Sequence, residues 1–283
     1  MEVCTTVTQV RRALAEAPRP VGFVPTMGAL HEGHRALVAA AVAGSATSVA
    51  SVFVNPLQFG PGEDFDAYPR DLDGDLALLE RDGVDLVLAP SADELTPPQR
   101  RTEVRVRGLT ETLEGAVRPG HFDGVATIVT TLLGAVGPDR AYFGEKDYQQ
   151  LLVVRALVAD LQLPVEVVAH PTVRERDGLA LSSRNAYLGP EDRVRARVVP
   201  AALAAAADGW DGDADAARAR MRSALDVEGV AVDYAEVADP ETLERREGRT
   251  PAPARALVAV RLGGTRLIDN APLPVPEAAP GRQ

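Results

Sequence analysis

Short apolar runs alternate with segments of helical periodicity over the first two-thirds of the chain, and this alternation restricts the possible folds most. Each apolar run is short and rich in β-branched residues, which is typical of a buried strand. Strands that are joined through helices run parallel, so the pattern predicts an α/β fold with a doubly wound parallel sheet and helices on both faces. The predicted strands are 21–26, 47–56, 84–90, 140–145 and 164–173, and the predicted helices are 34–44, 71–83, 126–137 and 148–162.

The composition changes near Val173. Alanine-rich helical segments follow, and two apolar strands are joined there by a Gly-Gly turn, which together predict a smaller α+β domain. The last residues are rich in proline and predict a flexible tail. The sequence therefore predicts a Rossmann-like domain over 1–172, an α+β domain over 173–270 and a tail over 271–283. The elements expected in the second domain are helices at 190–209 and 213–229, a strand at 232–239 and a hairpin at 254–270.

The composition predicts a cytoplasmic protein that binds neither nucleic acid nor a membrane. The net charge is −11, whereas neutralising nucleic-acid phosphates needs a basic face. No apolar stretch reaches the roughly 18–20 residues of a membrane span, and the first residues lack the pattern of a secretory signal. Because Cys4 is the only cysteine, no disulfide forms within the chain.

The chain contains a single lysine. Of its 30 basic residues, 29 are arginine, which is typical of codon bias in a GC-rich genome. Against that bias the one retained lysine, Lys146, indicates a position where arginine does not serve. A compact ammonium and a planar guanidinium differ most where the ligand is a crowded phosphate.

The segment PTMGALHEGH, residues 25–34, contains two of the four histidines in the chain. It follows a predicted strand and opens a predicted helix, which is where parallel sheets bind ligands and where a helix N-terminus favours an anion. Gly28 and Gly33 allow a ligand to approach the backbone. His31 and His34 are one helical turn apart, so both imidazoles face one point and suit a phosphate that gains charge in a transition state.

A pair of capping or core histidines beside a turn is the structural alternative for this segment. Two histidines at this spacing, after a strand and between glycines, favour phosphate chemistry. No metal site is predicted, because the only cysteine lies far away along the chain and no third zinc ligand is near.

The same segment carries a family resemblance. HEGH resembles the His-x-Gly-His signature of the nucleotidyltransferase superfamily that includes class I aminoacyl-tRNA synthetases, and the longer PTMGALHEGH is similar to the pantothenate synthetase family, the AMP-forming pantoate–β-alanine ligases. Further strings agree in order, and the resemblance covers nearly the whole chain up to Asn270. These strings are FVNPLQF (53–59), DAYPRDLDGDL (66–76), RPGHFDGV (118–125), FGEKDYQQL (143–151), PTVRERDGLALSSRN (171–185) and TRLIDN (265–270).

The resemblance implies ATP-dependent condensation of (R)-pantoate with β-alanine. Pantoate is adenylated first with release of pyrophosphate, and β-alanine then displaces AMP. ATP with Mg²⁺ is implied as a substrate, without a tightly bound prosthetic group. Since the family is usually dimeric, the resemblance also implies a homodimer.

The resemblance assigns catalytic roles to His34, as proton donor, and to His31, Lys146 and Arg184. The Ser-Ser-Arg segment that ends at Arg184 is the implied counterpart of the second phosphate loop of the synthetases. The residues implied to bind ATP are Met27, Gly28, Ala29, Leu30, His31, Glu32, Gly33, His34, Gly144, Glu145, Lys146, Asp147, Val173, Leu181, Ser182, Ser183 and Arg184.

Two glutamines complete the implied site. Gln58 and Gln150 match the pantoate-binding glutamines of the family, and Gln58 is also implied to contact β-alanine. Neutral amides orient the attacking carboxylate without holding its charge as strongly as an arginine would. The neighbouring Gln149 is interpreted as a surface or supporting residue.

Two positions depart from the family pattern. Leu181 stands where methionine is usual, which preserves the volume of the side chain. Arg35 stands where leucine is common and is interpreted as a harmless exposed helix position.

Two other functions stay open beside the ligase. One is another adenylyltransferase of the same superfamily, and the other is a catalytically inactive binding protein on this fold. The glycine-rich loop at 59–70 has two interpretations as well: a plain surface loop, or one that closes over the site and excludes water.

Overall fold

The computed structural model describes residues 1–275, which form two compact units, one from Met1 to Val173 and one from Arg174 onward. The first unit is α/β and the second contains helices beside an antiparallel sheet. The first unit contains strands β1 (Glu2–Cys4), β2 (Val21–Thr26), β3 (Thr47–Val52), β4 (Leu86–Leu88), β5 (Arg140–Gly144) and β6 (Glu166–His170), and helices α1 (Val7–Leu14), α2 (Glu32–Gly44), α3 (Leu72–Arg81), α4 (Ala92–Leu95), α5 (Glu114–Val117), α6 (His121–Val136) and α7 (Tyr148–Asp160).

The six strands of the first unit form one parallel sheet in the order β1-β4-β3-β2-β5-β6. The chain builds outward from β2 through β3 to β4 and then returns to the other side of β2 with β5. The gap between the carboxyl ends of β2 and β5 is therefore the topological switch point, where open α/β sheets bind ligands. The predicted doubly wound parallel sheet is confirmed.

Helices cover both faces of this sheet. Val24, Ala50 and Val87 point to one face and pack with side chains of α2 and α3. Phe23 and Val49 alternate with them, are equally buried and point to the opposite face, where α1 and α6 contact the strands. This alternation follows from the period of two along a strand.

The structure corrects the element boundaries that the sequence predicts. Strand β1 is missed by the pattern, because it is only three residues long and contributes one buried side chain, Cys4. The predicted strand at 47–56 ends at Val52, and a 3₁₀ turn at Pro56–Gln58 follows. Helix α6 begins at His121 rather than at residue 126.

In the second unit, two helices, Val198–Ala207 and Ala214–Leu225, pack on a three-stranded antiparallel sheet whose strands follow one another in chain order. The helix predicted at 190–209 is two helices, with a break between Arg195 and Val198. The last strand continues through Leu273, three residues into the segment for which the sequence predicts a tail, and residues 276–283 of that segment lie outside the described residues. The elements are α8 (Pro190–Arg195), α9 (Val198–Ala207), α10 (Ala214–Leu225), β7 (Val230–Ala238), β8 (Ala254–Leu262) and β9 (Thr265–Leu273).

Among residues 1–275, no helix combines the length and the apolar character that crossing a bilayer requires.

Candidate active site

The loop between β2 and α2 is held by a buried carboxylate. Gly28 and Ala29 both have left-handed backbone conformations, with φ of 82° and 50°. The carboxylate of Asp75, on α3, accepts the N–H of Ala29 at 2.9 Å and the N–H of Leu30 at 2.8 Å. Because Asp75 is only 3% exposed, this loop is anchored to the interior of the unit and not merely to the ends of its strands.

The two histidines cap the helix that they begin. His31 is the N-cap of α2, and its Nδ1 accepts the N–H of Gly33 at 3.1 Å. His34 returns the interaction, since its Nδ1 accepts the N–H of His31 at 3.4 Å. The ring centroids lie 4.1 Å apart. The capping and the phosphate interpretations of this pair are therefore compatible, because capping uses only the Nδ1 atoms.

This arrangement fixes the tautomer of both rings. An Nδ1 that accepts a hydrogen bond carries a lone pair, so a neutral ring has its proton on Nε2. Burial, and then the neighbouring His31, lower the pKa of His34 to about 3, and burial, and then Lys146, lower the pKa of His31. Both rings are thus neutral at physiological pH, and each has an Nε2–H to donate.

The Gly-Glu-Lys-Asp segment follows β5, the strand that pairs with β2. Its residues 145–147 form a 3₁₀ turn, and the Nζ of Lys146 lies 3.9 Å from Oδ1 of Asp147. The charge of Lys146 lowers the pKa of both histidines, whereas the charge of Asp147 raises it. The two motifs that the sequence singles out, which are separated by 110 positions from His34 to Gly144, therefore meet at the switch point of the sheet.

Gln58 lies at the end of the 3₁₀ turn that follows β3 and is half-buried. Its Nε2 lies 3.1 Å from the sulfur of Met27, and its Oε1 accepts a hydrogen bond from Nδ2 of Asn55 at 3.0 Å. Asn55 is 1% exposed and also donates to the carbonyl of Gly124 at 3.1 Å. The amide of Gln58 is thus oriented by a buried neighbour beside the first residue of the Met27–His34 segment.

The two glutamines of α7 have different surroundings. Gln150 is half-buried in the first turn of the helix. Gln149 is buried, and its Nε2 donates to the carbonyls of Leu109 and Thr112 at 2.7 and 2.8 Å. Its Oε1 accepts the N–H of Glu114 at 3.0 Å. The interpretation of Gln149 as a surface residue is wrong, and its supporting role is to hold the segment that precedes α5.

The loop at 59–70 is internally packed. The rings of Phe65 and Tyr68 meet that of Phe59 edge-on, at centroid distances of 5.3 and 6.0 Å. Arg70 lies over the ring of Phe65 and donates to the carbonyls of Phe65, Asp66 and Tyr68. An exposed glycine-rich strip would have none of these contacts, so the loop is ordered in part by contacts among its own side chains.

The second phosphate segment lies in the second unit. A short hairpin, bridged between Arg174 and Ala180, leads into it. The Oγ of Ser182 caps the 3₁₀ turn Ser183–Tyr187 by accepting the N–H of Arg184 at 3.3 Å. Val173 is the last residue of the first unit. The side chains that the sequence predicts in this segment are half-buried: Leu181, Ser182, Ser183 and Arg184.

Arg35 corrects a sequence-based interpretation. Its guanidinium forms a two-point ion pair with Asp82, at 2.7 Å for both bonds, and also contacts Glu32 at 2.6 Å. Arg35 therefore ties the start of α2 to the end of α3, and is not merely a harmless exposed position. Glu32 itself is largely exposed.

Two residues of the site are missed by sequence reasoning. Asp75 lies one helical turn before the buried Leu79, so a carboxylate on the apolar face of α3 was an available signal. Asn55 precedes a proline after a strand, which by itself indicates only a turn. Within residues 1–275 no three His, Cys, Asp or Glu side chains are grouped so that they could hold a metal ion.

The comparisons with known proteins agree over nearly the whole chain. The family model described as pantoate-beta-alanine ligase matches residues 2–272. The pantothenate synthetase of Thermus thermophilus is 55% identical over 275 residues, which are 95% of this chain and 98% of that protein. The pantothenate synthetase of Herpetosiphon aurantiacus is 51% identical over 274 residues, which are 95% of this chain and 99% of that protein.

Solved structures are similar as well. A crystal structure of the Thermus thermophilus pantothenate synthetase has a TM-score of 0.91 at 54% identity and covers 96% of this chain and 99% of its own. A crystal structure of the pantoate-beta-alanine ligase of Francisella tularensis, described as complexed with beta-gamma ATP and beta-alanine, has a TM-score of 0.79 at 30% identity. It covers 96% of this chain and 97% of its own.

Proposed function

The chain belongs to the pantoate–β-alanine ligase family, and we propose that it condenses pantoate with β-alanine in two steps at the switch point of its parallel sheet. In the first step a carboxylate oxygen of pantoate attacks the α-phosphorus of ATP, the bond to the β-phosphate oxygen breaks, and pyrophosphate leaves. In the second step the β-alanine amine attacks the carbonyl carbon of pantoyl adenylate and loses a proton, and AMP leaves. ATP and β-alanine are the ligands named for the Francisella relative.

The observation that carries this proposal is that the two neutral imidazoles of His31 and His34 lie near the single lysine, Lys146. The Nε2–H groups of His31 and His34 donate hydrogen bonds to the phosphate oxygens on which charge develops. Because burial lowers the pKa of His34 to about 3, its ring is neutral and offers the Nε2–H as a hydrogen-bond donor. Lys146 supplies the positive charge beside them, and Asp147 is suited to the ribose hydroxyls. The oriented donors need no rearrangement as the reaction proceeds.

The remaining binding roles are proposed from residue chemistry. Gln58 and Gln150 bind pantoate through their amides, and Gln58 also contacts β-alanine. Ser182, Ser183 and Arg184 bind the β- and γ-phosphates with two hydroxyls and one guanidinium. The other ATP contacts are proposed for Met27, Gly28, Ala29, Leu30, Glu32, Gly33, Gly144, Glu145, Val173 and Leu181.

Pantoyl adenylate is prone to hydrolysis, and the loop at 59–70 is the element proposed to protect it. A loop with its own aromatic packing moves as one body, so it closes over the adenylate without losing its internal contacts. The protein is further proposed to act as a cytoplasmic homodimer that takes ATP as its Mg²⁺ complex. Light scattering of the purified protein tests the dimer.

Isotope exchange between pyrophosphate and ATP tests the proposed function. Exchange is expected only when pantoate is present, and AMP is expected to accumulate only when β-alanine is added. Exchange that needs a phosphorylated acceptor in place of pantoate would identify another adenylyltransferase of the superfamily. Binding of ATP with no exchange under any of these conditions would identify a catalytically inactive binding protein.

A further inference from the structure

The backbone carbonyl of Gln58 is held by two side chains from the RPGHF segment. Nδ1 of His121 lies 2.8 Å from this oxygen, and Nη2 of Arg118 donates to it at 3.3 Å. Both donors belong to the entry of α6, which begins at His121. A carbonyl oxygen that receives two donors has a fixed direction, and with it the peptide plane that follows Gln58.

The tautomer of His121 follows from these contacts. A carbonyl only accepts, so Nδ1 of His121 carries the proton, and Nε2 accepts from Nη1 of Arg118 at 3.1 Å. Burial, and then the charge of Arg118, lower the pKa of His121 to about 4, so the ring is neutral at physiological pH. The histidine thus relays a hydrogen bond from the guanidinium to Gln58.

The same guanidinium holds the loop at 59–70. Nε and Nη2 of Arg118 contact the two carboxylate oxygens of Glu63 at 2.7 and 2.6 Å, and both side chains are largely buried, at 14% and 25% exposed. Glu63 also accepts the N–H of Gly60 at 3.2 Å. A two-point pair of this kind is specific in direction as well as in strength. One side chain, Arg118, therefore contacts both the loop and the carbonyl of Gln58.

The packing leaves the Gln58 segment little room to move. A Cβ on Gly124 of α6 would lie 2.1 Å from the carbonyl oxygen of Leu57 and 2.6 Å from the nitrogen of Gln58. Only glycine permits this approach of helix to turn. The amide of Gln58 is in turn oriented by Asn55. Both the backbone and the side chain of Gln58 are thus set by their neighbours.

We propose that His121 and Arg118 are positioning residues for Gln58, and that the ion pair of Arg118 with Glu63 couples closure of the 59–70 loop to the orientation of that glutamine. The inference rests on the proposed function, in which Gln58 contacts pantoate and β-alanine. A displacement of a positioned group by 1 Å can lower a rate about 10²-fold. Loss of the contacts to the Gln58 carbonyl should therefore have a measurable effect on the reaction. None of these three residues is proposed to contact a substrate.

Three substitutions at His121 and Gln58 test the positioning role. The side-chain amide of asparagine stands where Nδ1 stands in histidine, so His121→Asn keeps the donor to Gln58, whereas His121→Leu loses it. We expect His121→Leu to raise KM for pantoate and for β-alanine at least tenfold, with the ATP dissociation constant within twofold of wild type. His121→Asn should stay within threefold of wild type, and Gln58→Ala gives the upper limit for a lost amide.

Glu63→Gln tests the coupling without a large change in shape. This variant should release more AMP than pantothenate, because pantoyl adenylate is hydrolysed by water when the 59–70 loop is not held. Arg105→Gln is the matched control, since it breaks the ion pair of the exposed Arg105 with Asp123 in the first turn of α6. Its kinetics should equal those of wild type.

Several results would overturn the inference. Equal losses in His121→Asn and His121→Leu, or a parallel rise in the ATP dissociation constant, would indicate a structural role only. If Glu63→Gln releases AMP and pantothenate in equal amounts, the proposed coupling between the loop and Gln58 is wrong. If His121→Leu does not fold, the comparison of His121→Asn and Glu63→Gln with wild type decides. Failure of the proposed function is separate, because it would appear as wild-type protein without pantoate-dependent exchange.

Discussion

The carboxylate of Asp75 lies 2.6 Å from the position that a Cβ on Gly28 would occupy. Glycine at this position therefore serves both the left-handed backbone and the close approach of the carboxylate that accepts the next two N–H groups. The loop that begins the histidine segment is thereby built on a contact with α3. The precision of His31 and His34 depends on that contact.

Asp75→Asn should impair adenylation while the protein remains folded. An amide presents one oxygen and one NH₂ where the carboxylate presents two oxygens, so a buried N–H of the loop is left without its acceptor. We expect a loss of about 1–3 kcal/mol in the free energy of unfolding. We also expect a loss of roughly 10²-fold in pyrophosphate exchange, because the histidines are displaced.

Asp71→Asn is the matched control for that change. Asp71 is the N-cap of the same helix, and asparagine caps a helix as well as aspartate does. The control removes one negative charge at the start of α3 without changing the contact with the loop between β2 and α2. Its rate of pyrophosphate exchange should therefore equal that of wild type. Comparable losses in Asp71→Asn and Asp75→Asn would assign the effect to the charge or to the helix.

His34→Asn should abolish most adenylation with little effect on folding. The Oδ1 of asparagine can replace Nδ1 as acceptor of the His31 N–H, so the cap is retained, but no donor remains at the position of Nε2. Loss of one such donor typically lowers a rate by about 10²–10³-fold. His34→Ala should lose as much activity and some stability as well. Near-normal single-turnover formation of pantoyl adenylate in either folded variant would remove His34 from the reaction.

The free energy of unfolding should decrease as the pH is lowered below 6.5, and His34 should account for part of this decrease. The pKa of His34 is about 3 in the folded protein, whereas that of an unfolded histidine is about 6.5. As pH falls from 6.5 toward 3, the unfolded chain binds a proton that the folded chain does not, so the free energy of unfolding decreases. The limiting slope is about 1.4 kcal/mol per pH unit for one group.

Urea unfolding of wild type and His34→Asn between pH 4.5 and 7.5 measures this contribution. Wild type should lose stability more steeply below pH 6.5, and the two curves should be parallel above pH 7. Carboxylates with lowered pKa values, such as Asp177 at about 2, affect both proteins equally and cancel in the difference. Parallel curves throughout would mean that His34 has the same pKa in the folded and the unfolded protein, so that its burial does not shift the pKa.

Local sequence patterns predict the sheet and the histidine segment well. The central strands β2 and β3 are short, rich in β-branched and small residues and buried at five of their six positions, and the helices between them have a regular period, so both signals lie within one element. Strand β1 has only three residues, too few to establish a period, and its identity as a strand depends on pairing with β4. The break between Arg195 and Val198 does have a local signal, because Pro200 lies in the first turn of α9, where proline is tolerated, and would interrupt a single helix over 190–209.

The contacts of the supporting residues could not be predicted in the same way. Asp75 holds Leu30 across 45 positions, Asn55 holds Gly124 across 69, and Glu63 meets Arg118 across 55. Each contact depends on how elements pack and not on any local spacing. Apart from Glu63, the residues proposed to bind substrate and those that orient them lie in the same short motifs, but the pairing of one motif with another depends on the fold.

Substitution of the single lysine tests whether Lys146 has a chemical role or is only a product of codon usage. If Lys146 is an accident of composition, Lys146→Arg should be silent, because this chain uses arginine for every other basic side chain. If its ammonium binds phosphate in a crowded site beside His31 and His34, the longer planar guanidinium fits badly and misplaces the pyrophosphate leaving group. We expect Lys146→Arg to lose adenylation nearly as severely as Lys146→Ala, with thermal stability close to wild type. Retained charge with lost activity would identify geometry as the requirement, whereas wild-type exchange rates in Lys146→Arg would remove this residue from the site.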